Sequence, residues 1–385
     1  YLTREVAEWL LKREREIVVH VDGKLAKLKR FNAAGILESV PESRRNCLKF
    51  WGRTSALRNP ESFDLVVTLG GDGTVLYVSN LFQRVVPPVI SFSLGSLGFL
   101  TNFEFVQFRE QMAKAIDTGV RAYLRMRFTC RVHKADGALV CEQQVLNELV
   151  VDRGPSPFVT NLELYGDGEL LTIVQADGVI LATPTGSTAY SLSAGGSLVH
   201  PSVSAISVTP ICPHTLSFRP ILLPDGMLLK VKVPDRTRST AWASFDGKVR
   251  TELFQGDYVT IQASPYPFPT VISSKTEYFD SVSRNLNWNA REVQKPFASL
   301  LNEGELIGEK GEDNEDFDIN DDDSDLDFSV PTGEEAFTSY SSLISDEDQC
   351  FLPDFGKGIN TPPNNASHMD ERTCFAHPNA RITLG

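Results

Sequence analysis

Two short segments hold residue types suited to phosphate chemistry. In the first, Gly70-Gly71-Asp72-Gly73-Thr74 follows directly on the apolar run 63–69. Glycines turn sharply and let backbone N–H groups approach a ligand. With a helix N-terminus behind them, those N–H groups cradle anions. A carboxylate inside such a cradle repels phosphate, so Asp72 suggests proton acceptance or a divalent cation beside the phosphates. The plainer reading is a helix-capping Asp in a glycine turn. The second segment is Thr-Pro-Thr-Gly-Ser-Thr-Ala-Tyr-Ser-Leu-Ser-Ala-Gly-Gly at 183–196. Thr185, Ser187, Thr188, Ser191 and Ser193 each donate and accept hydrogen bonds, and Tyr190 offers a ring for a base or ribose. Its small side chains leave room for a large planar ligand. No Lys follows the glycines, so this is not a P-loop.

Other candidates are weaker alone. Asn147-Glu148 ends a strand-like run and could bind vicinal hydroxyls or an amino group, but reads first as a solvated surface pair. Ser244-Phe245-Asp246-Gly247 reads first as a type I turn. His20, His133, His200 and His214 lack the mutual spacing of a metal site or triad, and no G-x-S-x-G elbow is present. The six cysteines form no C-x-x-C pair, and Cys212 with the nearby His214 gives only two of a zinc site's ligands. Free, mostly buried thiols in a reducing compartment are expected.

The elements that position these segments follow from periodicity. Residues 3–15 read as a helix and Ile17–Val21 as a strand, whereas 22–62 is polar with weak periodicity. The run 63–69 reads as a strand buried on both faces. Helix signals follow in Val75–Arg84, Pro87-Pro88 breaks the chain, and Val89–Phe92 is another strand. Strand, glycine loop, helix and strand make a βαβ unit, so 1–120 is expected to be an α/β domain with a mostly parallel sheet. From about residue 121 to 274, short strand-like runs alternate with turns, which predicts an all-β sandwich. Residues 275–295 look helical again and are expected to return to the first domain.

Charge separates the remaining segment. Residues 296–385 hold 21 Asp/Glu against 4 Lys/Arg, a net of −17. Residues 1–295 hold 29 against 33, a net of +4. The body suits an anionic small ligand, and its bias is too slight to argue for nucleic acid. The acidic tail, poor in apolar periodicity, is expected to be disordered and dispensable for chemistry. No run approaches the ~18 apolar residues of a membrane helix, so no membrane role is expected.

In combination, Gly-Gly-Asp-Gly-Thr at 70–74, Leu-Gly-Ser-Leu-Gly-Phe-Leu-Thr at 94–101, Asn-Glu at 147–148, the 183–196 segment and the His-Pro…Thr-Pro-Ile-Cys-Pro-His-Thr-Leu-Ser-Phe-Arg-Pro block at 200–220 resemble the NAD kinase family, its fungal members most closely. The match covers about residues 1–295. The resemblance implies phosphoryl transfer from ATP, with Mg²⁺ or another divalent cation, to the 2′-hydroxyl of the adenosine ribose of NAD. It implies a soluble, cytoplasmic homo-oligomer: a dimer, tetramer or hexamer. It places the catalytic role on Asp72 and the phosphate-side loop on Gly70, Gly71, Gly73 and Thr74. The adenine- and ribose-side pair falls on Asn147 and Glu148. Further dinucleotide contacts fall on Phe99, Asp177, Thr185, Thr188, Ala189, Tyr190 and Ser193, and a less certain one on Asp246; no residue is assigned as a resident metal ligand. Family members open with a strand before the helix that here occupies 3–15. Its absence predicts a first sheet lacking an edge or central strand.

Two alternatives share part of this pattern. A lipid kinase of the diacylglycerol or sphingosine type also carries Gly-Gly-Asp-Gly-Thr, but needs an apolar pocket that the hydroxyl-rich 183–196 segment does not suit. A non-catalytic NAD-binding module has no use for a carboxylate beside phosphate.

Overall fold

The computed structural model describes residues 1–52, 60–289, 372–374 and 381–384 of the 385. Among them, three sheets form. The first orders its strands Leu48–Trp51, Val18–Asp22, Arg381–Leu384, Leu65–Leu69, Val89–Ser93, Phe268–Val271, Val120–Arg125 and Arg372–Cys374, with Phe103–Glu104 beside Val89–Ser93. Its pairings are parallel except at Val120–Arg125, which runs antiparallel to both neighbours. Leu65, Val67, Ile90 and Phe92 pack on one face with helix Leu2–Leu11 and helix Phe108–Thr118. Val66 and Val89 pack on the other with Val75, Val78 and Leu81 of helix Asp72–Leu81. Burial on both faces explains why Leu65, Val66 and Val67 follow one another without polar alternation.

The other two sheets are antiparallel, six strands each among the described residues. Alternate residues such as Phe128, Cys130 and Val132 from one, and Ala241, Ala243 and Phe245 from the other, share one core. Strand Gly178–Ala182 is buried throughout. Val179 and Leu181 face that core, while Ile180 and Ala182 join Val150 in a smaller cluster with Ala194 and Ile211. That second cluster anchors the hydroxyl-rich segment leaving the strand.

Several expectations change. The first helix stops at Leu11, and 22–62 contains helix Ala33–Ser39 and strand Leu48–Trp51. Val120–Arg125 and Phe268–Val271 bond into the first sheet, so the 121–274 segment is not sandwich at either border. The returning helix is Glu277–Leu286. Most of the acidic tail lies outside the described residues, but its end departs from the expectation for 296–385. Arg372–Cys374 and Arg381–Leu384 are strands of the first sheet. The second fills a central position, so the sheet is not short of a strand there. Net charge marked the segment as one unit, although the short β-competent run Arg381–Leu384 carries none of the acidic residues.

Candidate active site

Strand Leu65–Leu69 delivers the glycine loop to the start of helix Asp72–Leu81, with Gly71 as its N-cap. The Asp72 carboxylate turns toward the 94–101 loop. Its Oδ2 accepts from Phe99 N at 3.0 Å; its Oδ1 accepts from Leu100 N and Thr101 Oγ1, each at 3.1 Å. A carboxylate has about four acceptor positions, so three are taken and the free one lies on Oδ2. A Cβ at Gly98 would collide with this carboxylate, which is why the loop needs glycine there. Gly70 is packed against the Thr74 hydroxyl in the same way.

The sandwich supplies the second wall. Asp246, at φ 48° in a tight turn, is buried and aims its carboxylate at the chain entering strand Glu148–Asp152. It accepts from Leu146 N at 2.9 Å, Asn147 N at 2.7 Å and Glu148 N at 3.1 Å. Both oxygens are thus committed to backbone; Asp246 positions the pair instead of facing open space. Burial nevertheless raises its pKa against those bonds. Asn147 and Glu148 are themselves buried, yet Asn147 Oδ1 and Glu148 Oε2 have no partner. Burial, then the Asp246 charge, pushes the Glu148 carboxyl up to about 7; the Tyr190 backbone N–H opposes the shift. Orphaned buried acceptors cost roughly 1–3 kcal/mol each, so this pair is poised for incoming donors such as hydroxyls or an amino group.

The hydroxyl-rich segment folds as a short 3-10 turn, Thr185–Thr188, and helix Tyr190–Ser193. Gly186 rides on the Asn147 carbonyl so closely that a Cβ has no room. Thr188 Oγ1 donates to the Thr185 carbonyl at 3.1 Å, and Ser191 and Thr209 share a buried hydroxyl bond at 2.9 Å. Tyr190 and Ser193 are exposed, and Ala189 is half-buried. Burial, then the charges of Asp152, Cys212, Asp177 and Glu148, raises the pKa of the Tyr190 hydroxyl. Asp177 accepts from Arg153 Nε at 2.8 Å, so its charge is already paired.

Three cations missed in the sequence reading join the two walls. Lys248, next to Asp246 in the turn, donates to the Gly73 carbonyl at 3.1 Å and sits over the Tyr77 ring. Arg125, buried, donates to Thr270 Oγ1 at 2.9 Å and Thr185 Oγ1 at 3.4 Å; burial lowers its pKa, against the opposing charges of Glu277 and Asp72. Glu277 of the returning helix lies 3.9 Å from it. Arg127, fully buried, donates to the carbonyls of Phe82, Arg84 and Tyr266 and so anchors the C-terminal end of helix Asp72–Leu81. Burial pulls its pKa down to about 10. The one available signal was the Arg-x-Arg spacing, 125 and 127, at the edge of an apolar strand run. Among the described residues, no three His, Cys, Asp or Glu side chains cluster as a metal site. No described helix is long and apolar enough to cross a membrane.

The chain is similar to known proteins over most of its length. The ATP-NAD kinase N-terminal domain family matches residues 1–120, and the ATP-NAD kinase C-terminal domain family matches 146–273. An NAD(+) kinase of Saccharomyces cerevisiae is 53% identical over 79% of this chain and 60% of its own length. An ATP-NADH kinase of the same yeast is 53% identical over 78% and 63%. The chain thus spans about three fifths of these curated relatives. A crystal structure of a yeast NADH kinase complexed with NADH superposes with a TM-score of 0.64 at 33% identity, covering 76% of this chain and 86% of that one.

Proposed function

From the premise that this chain belongs to the NAD kinase family, we propose that it transfers the γ-phosphoryl group of ATP to the 2′-hydroxyl of the adenosine ribose of NAD, giving NADP and ADP, with NADH as a second acceptor. The carrying observation is the Asp72 carboxylate, held by Phe99, Leu100 and Thr101 with one acceptor position left on Oδ2. A hydroxyl proton fits that position. The hydroxyl oxygen forms the new bond to phosphorus, the bond from phosphorus to the β–γ bridging oxygen breaks, and Asp72 takes the proton. An aspartate is a weak base for a hydroxyl. A loose transition state, in which the proton leaves late, tolerates one.

The other residues bind and orient. Asn147 Oδ1 and Glu148 Oε2 take donors from the ribose and adenine, and Tyr190 covers the ring system. Gly71 and Gly73 present backbone N–H groups to phosphate at the helix N-terminus, while the Gly70 N–H donates to the Phe92 carbonyl and the Thr74 N–H to the Gly71 carbonyl, so these two shape the loop. The divalent cation would enter with ATP, as part of the substrate, and would neutralise the phosphate charge there; the one acceptor position left on Asp72 is reserved for the hydroxyl.

Incubating the protein with ATP, Mg²⁺ and NAD, and assaying NADP with an NADP-specific dehydrogenase, tests this reading. NADH and diacylglycerol serve as parallel acceptors. NADP formed at the 2′ position is expected. Phosphorylated lipid without NADP would favour the lipid-kinase alternative, and NAD binding without turnover would favour the non-catalytic one.

A further inference from the structure

A cavity of about 340 Å³ lies on the face of the first sheet opposite helix Asp72–Leu81, and none of its lining residues belongs to the site described above. It opens between helix Phe108–Thr118 and the segment 271–275 that leads into helix Glu277–Leu286. Ile90, Phe103, Ala115 and Val271, all buried, form its floor. Lys114, Arg121 and Lys275, all exposed, line its mouth. Among the described residues, no Asp or Glu lines it. The side chains of Gln111, Lys114 and Lys275 make no hydrogen bond or ion pair among the described residues.

Three cations with no carboxylate among them favour an anion. The apolar floor calls for a ligand with an apolar body as well as a charge. Small-molecule sites span roughly 300–1,000 Å³, so this cavity suits a mononucleotide and is small for a dinucleotide. A flat base covers Phe103, Ile90 and Val271, the Gln111 amide offers it a donor and an acceptor, and the lysines take the phosphate. The cavity also reaches the catalytic carboxylate by short paths. Phe103 follows Thr101 by two residues, and Leu100 N and Thr101 Oγ1 both donate to Asp72. Arg121 shares strand Val120–Arg125 with Arg125, which donates to Thr185 Oγ1. Lys275 stands two residues before Glu277, which lies 3.9 Å from Arg125.

We propose that this cavity is an effector site for a nucleoside monophosphate, with the base on the apolar floor and the phosphate at Lys114 and Lys275, and that its occupation steadies Phe103 and so the hold of the 94–101 loop on Asp72. The binding claim stands apart from the proposed kinase activity; the effect on catalysis rests on it.

Irradiating the intact chain with 8-azido-AMP and mapping the labelled peptides by mass spectrometry tests the site. Labels within 103–121 or 271–275 are expected, and excess AMP should remove them. Inorganic phosphate or adenosine at the same concentration should leave them in place. Labels confined to 70–74, 147–148 or 183–193 would overturn the proposal, as would displacement by phosphate or adenosine as effective as by AMP. Lys114→Glu combined with Lys275→Glu reverses two exposed, unpaired charges, so circular dichroism should stay unchanged. The half-saturating 8-azido-AMP concentration for the cavity peptides should rise at least about tenfold; an unchanged value would overturn the role of the lysines. At saturating ATP and NAD, AMP should raise kcat of the parent on the order of fivefold. The double variant should match the parent without AMP and not respond to it. No response in the parent, or an equal response in both chains, would overturn the coupling. If the cavity is labelled as expected while no NADP forms under any condition, the site stands and the proposed activity fails.

Discussion

Replacing Asp246 by alanine separates a positioning carboxylate from a ligand-binding one. Its two oxygens take the N–H groups of Leu146, Asn147 and Glu148. Alanine leaves three buried donors without partners, at roughly 1–3 kcal/mol each. The substitution also removes a buried charge that the fold tolerates at some cost, as the raised Asp246 pKa shows. The balance is a loss of about 2–4 kcal/mol. With a urea m-value of a few kcal/mol/M, the unfolding midpoint should fall by about 1 M. A second consequence has the opposite sense for a neighbour. The Asp246 charge helps to raise Glu148, so Glu148 should titrate at lower pH in Asp246→Ala, and KM for NAD should rise as the freed backbone drifts. Asp246→Asn keeps a carbonyl for two of the three N–H groups but sets an amide against the third. It should give about half the stability loss with the same fall in the Glu148 pKa. Tryptophan-monitored urea unfolding and a pH profile of KM check both. A midpoint unchanged within error, with an unchanged Glu148 titration, would refute the reasoning.

Glu148 itself predicts a pH dependence. Its folded pKa of about 7 lies above its ordinary value near 4.5, so the unfolded chain ionises first as pH rises. The stability this group contributes is complete below about pH 4.5 and is lost progressively up to pH 7, on the order of 3 kcal/mol in all. Conversely, NAD capture by the ionised form should improve as pH rises through 7, and Glu148→Gln should flatten the KM profile. Gly98→Ala drives a methyl into the Asp72 carboxylate; kcat should drop on the order of 10²-fold with a smaller change in KM, since small misplacements of reacting groups carry that penalty. Arg127→Met strips the carbonyls of Phe82, Arg84 and Tyr266 of a buried donor. Calorimetry should show Tm lower by roughly 10 °C, corresponding to about 3–5 kcal/mol.

The sequence displayed those parts whose chemistry is local. The apolar run 63–69, the glycine loop and helix Asp72–Leu81 follow one another, so their periodicities were readable. The sandwich strands alternate as their half-burial requires. Contacts made across the sequence were hidden. Asp246 looked like an ordinary turn residue because its partners, Leu146–Glu148, lie about a hundred positions away. Asn147-Glu148 looked like a solvated pair for the same reason: burial comes from the turn and from Gly186 above it. Arg125 and Arg127 carry charges that propensity assigns to the surface, yet both are buried against carbonyls, hydroxyls and Glu277. Arg381–Leu384 was masked by the acidic composition around it, and four residues are too few for a periodicity argument when parallel pairing is set by partners more than 300 positions away.

The central claim is that Asp72 accepts the ribose proton from a position fixed by the 94–101 loop. Asp72→Asn tests it most directly. The amide oxygen can keep the donors Leu100 N and Thr101 Oγ1, while the amide nitrogen replaces the Oδ2 acceptor. The paired measurement is steady-state NADP formation and NAD binding by isothermal calorimetry on the same preparation. A fall in kcat of ~10²–10⁴-fold, with the NAD Kd within about threefold of the parent, is the predicted result. Near-normal turnover would remove Asp72 from the proton transfer, and loss of NAD binding together with turnover would make it a residue that shapes the loop.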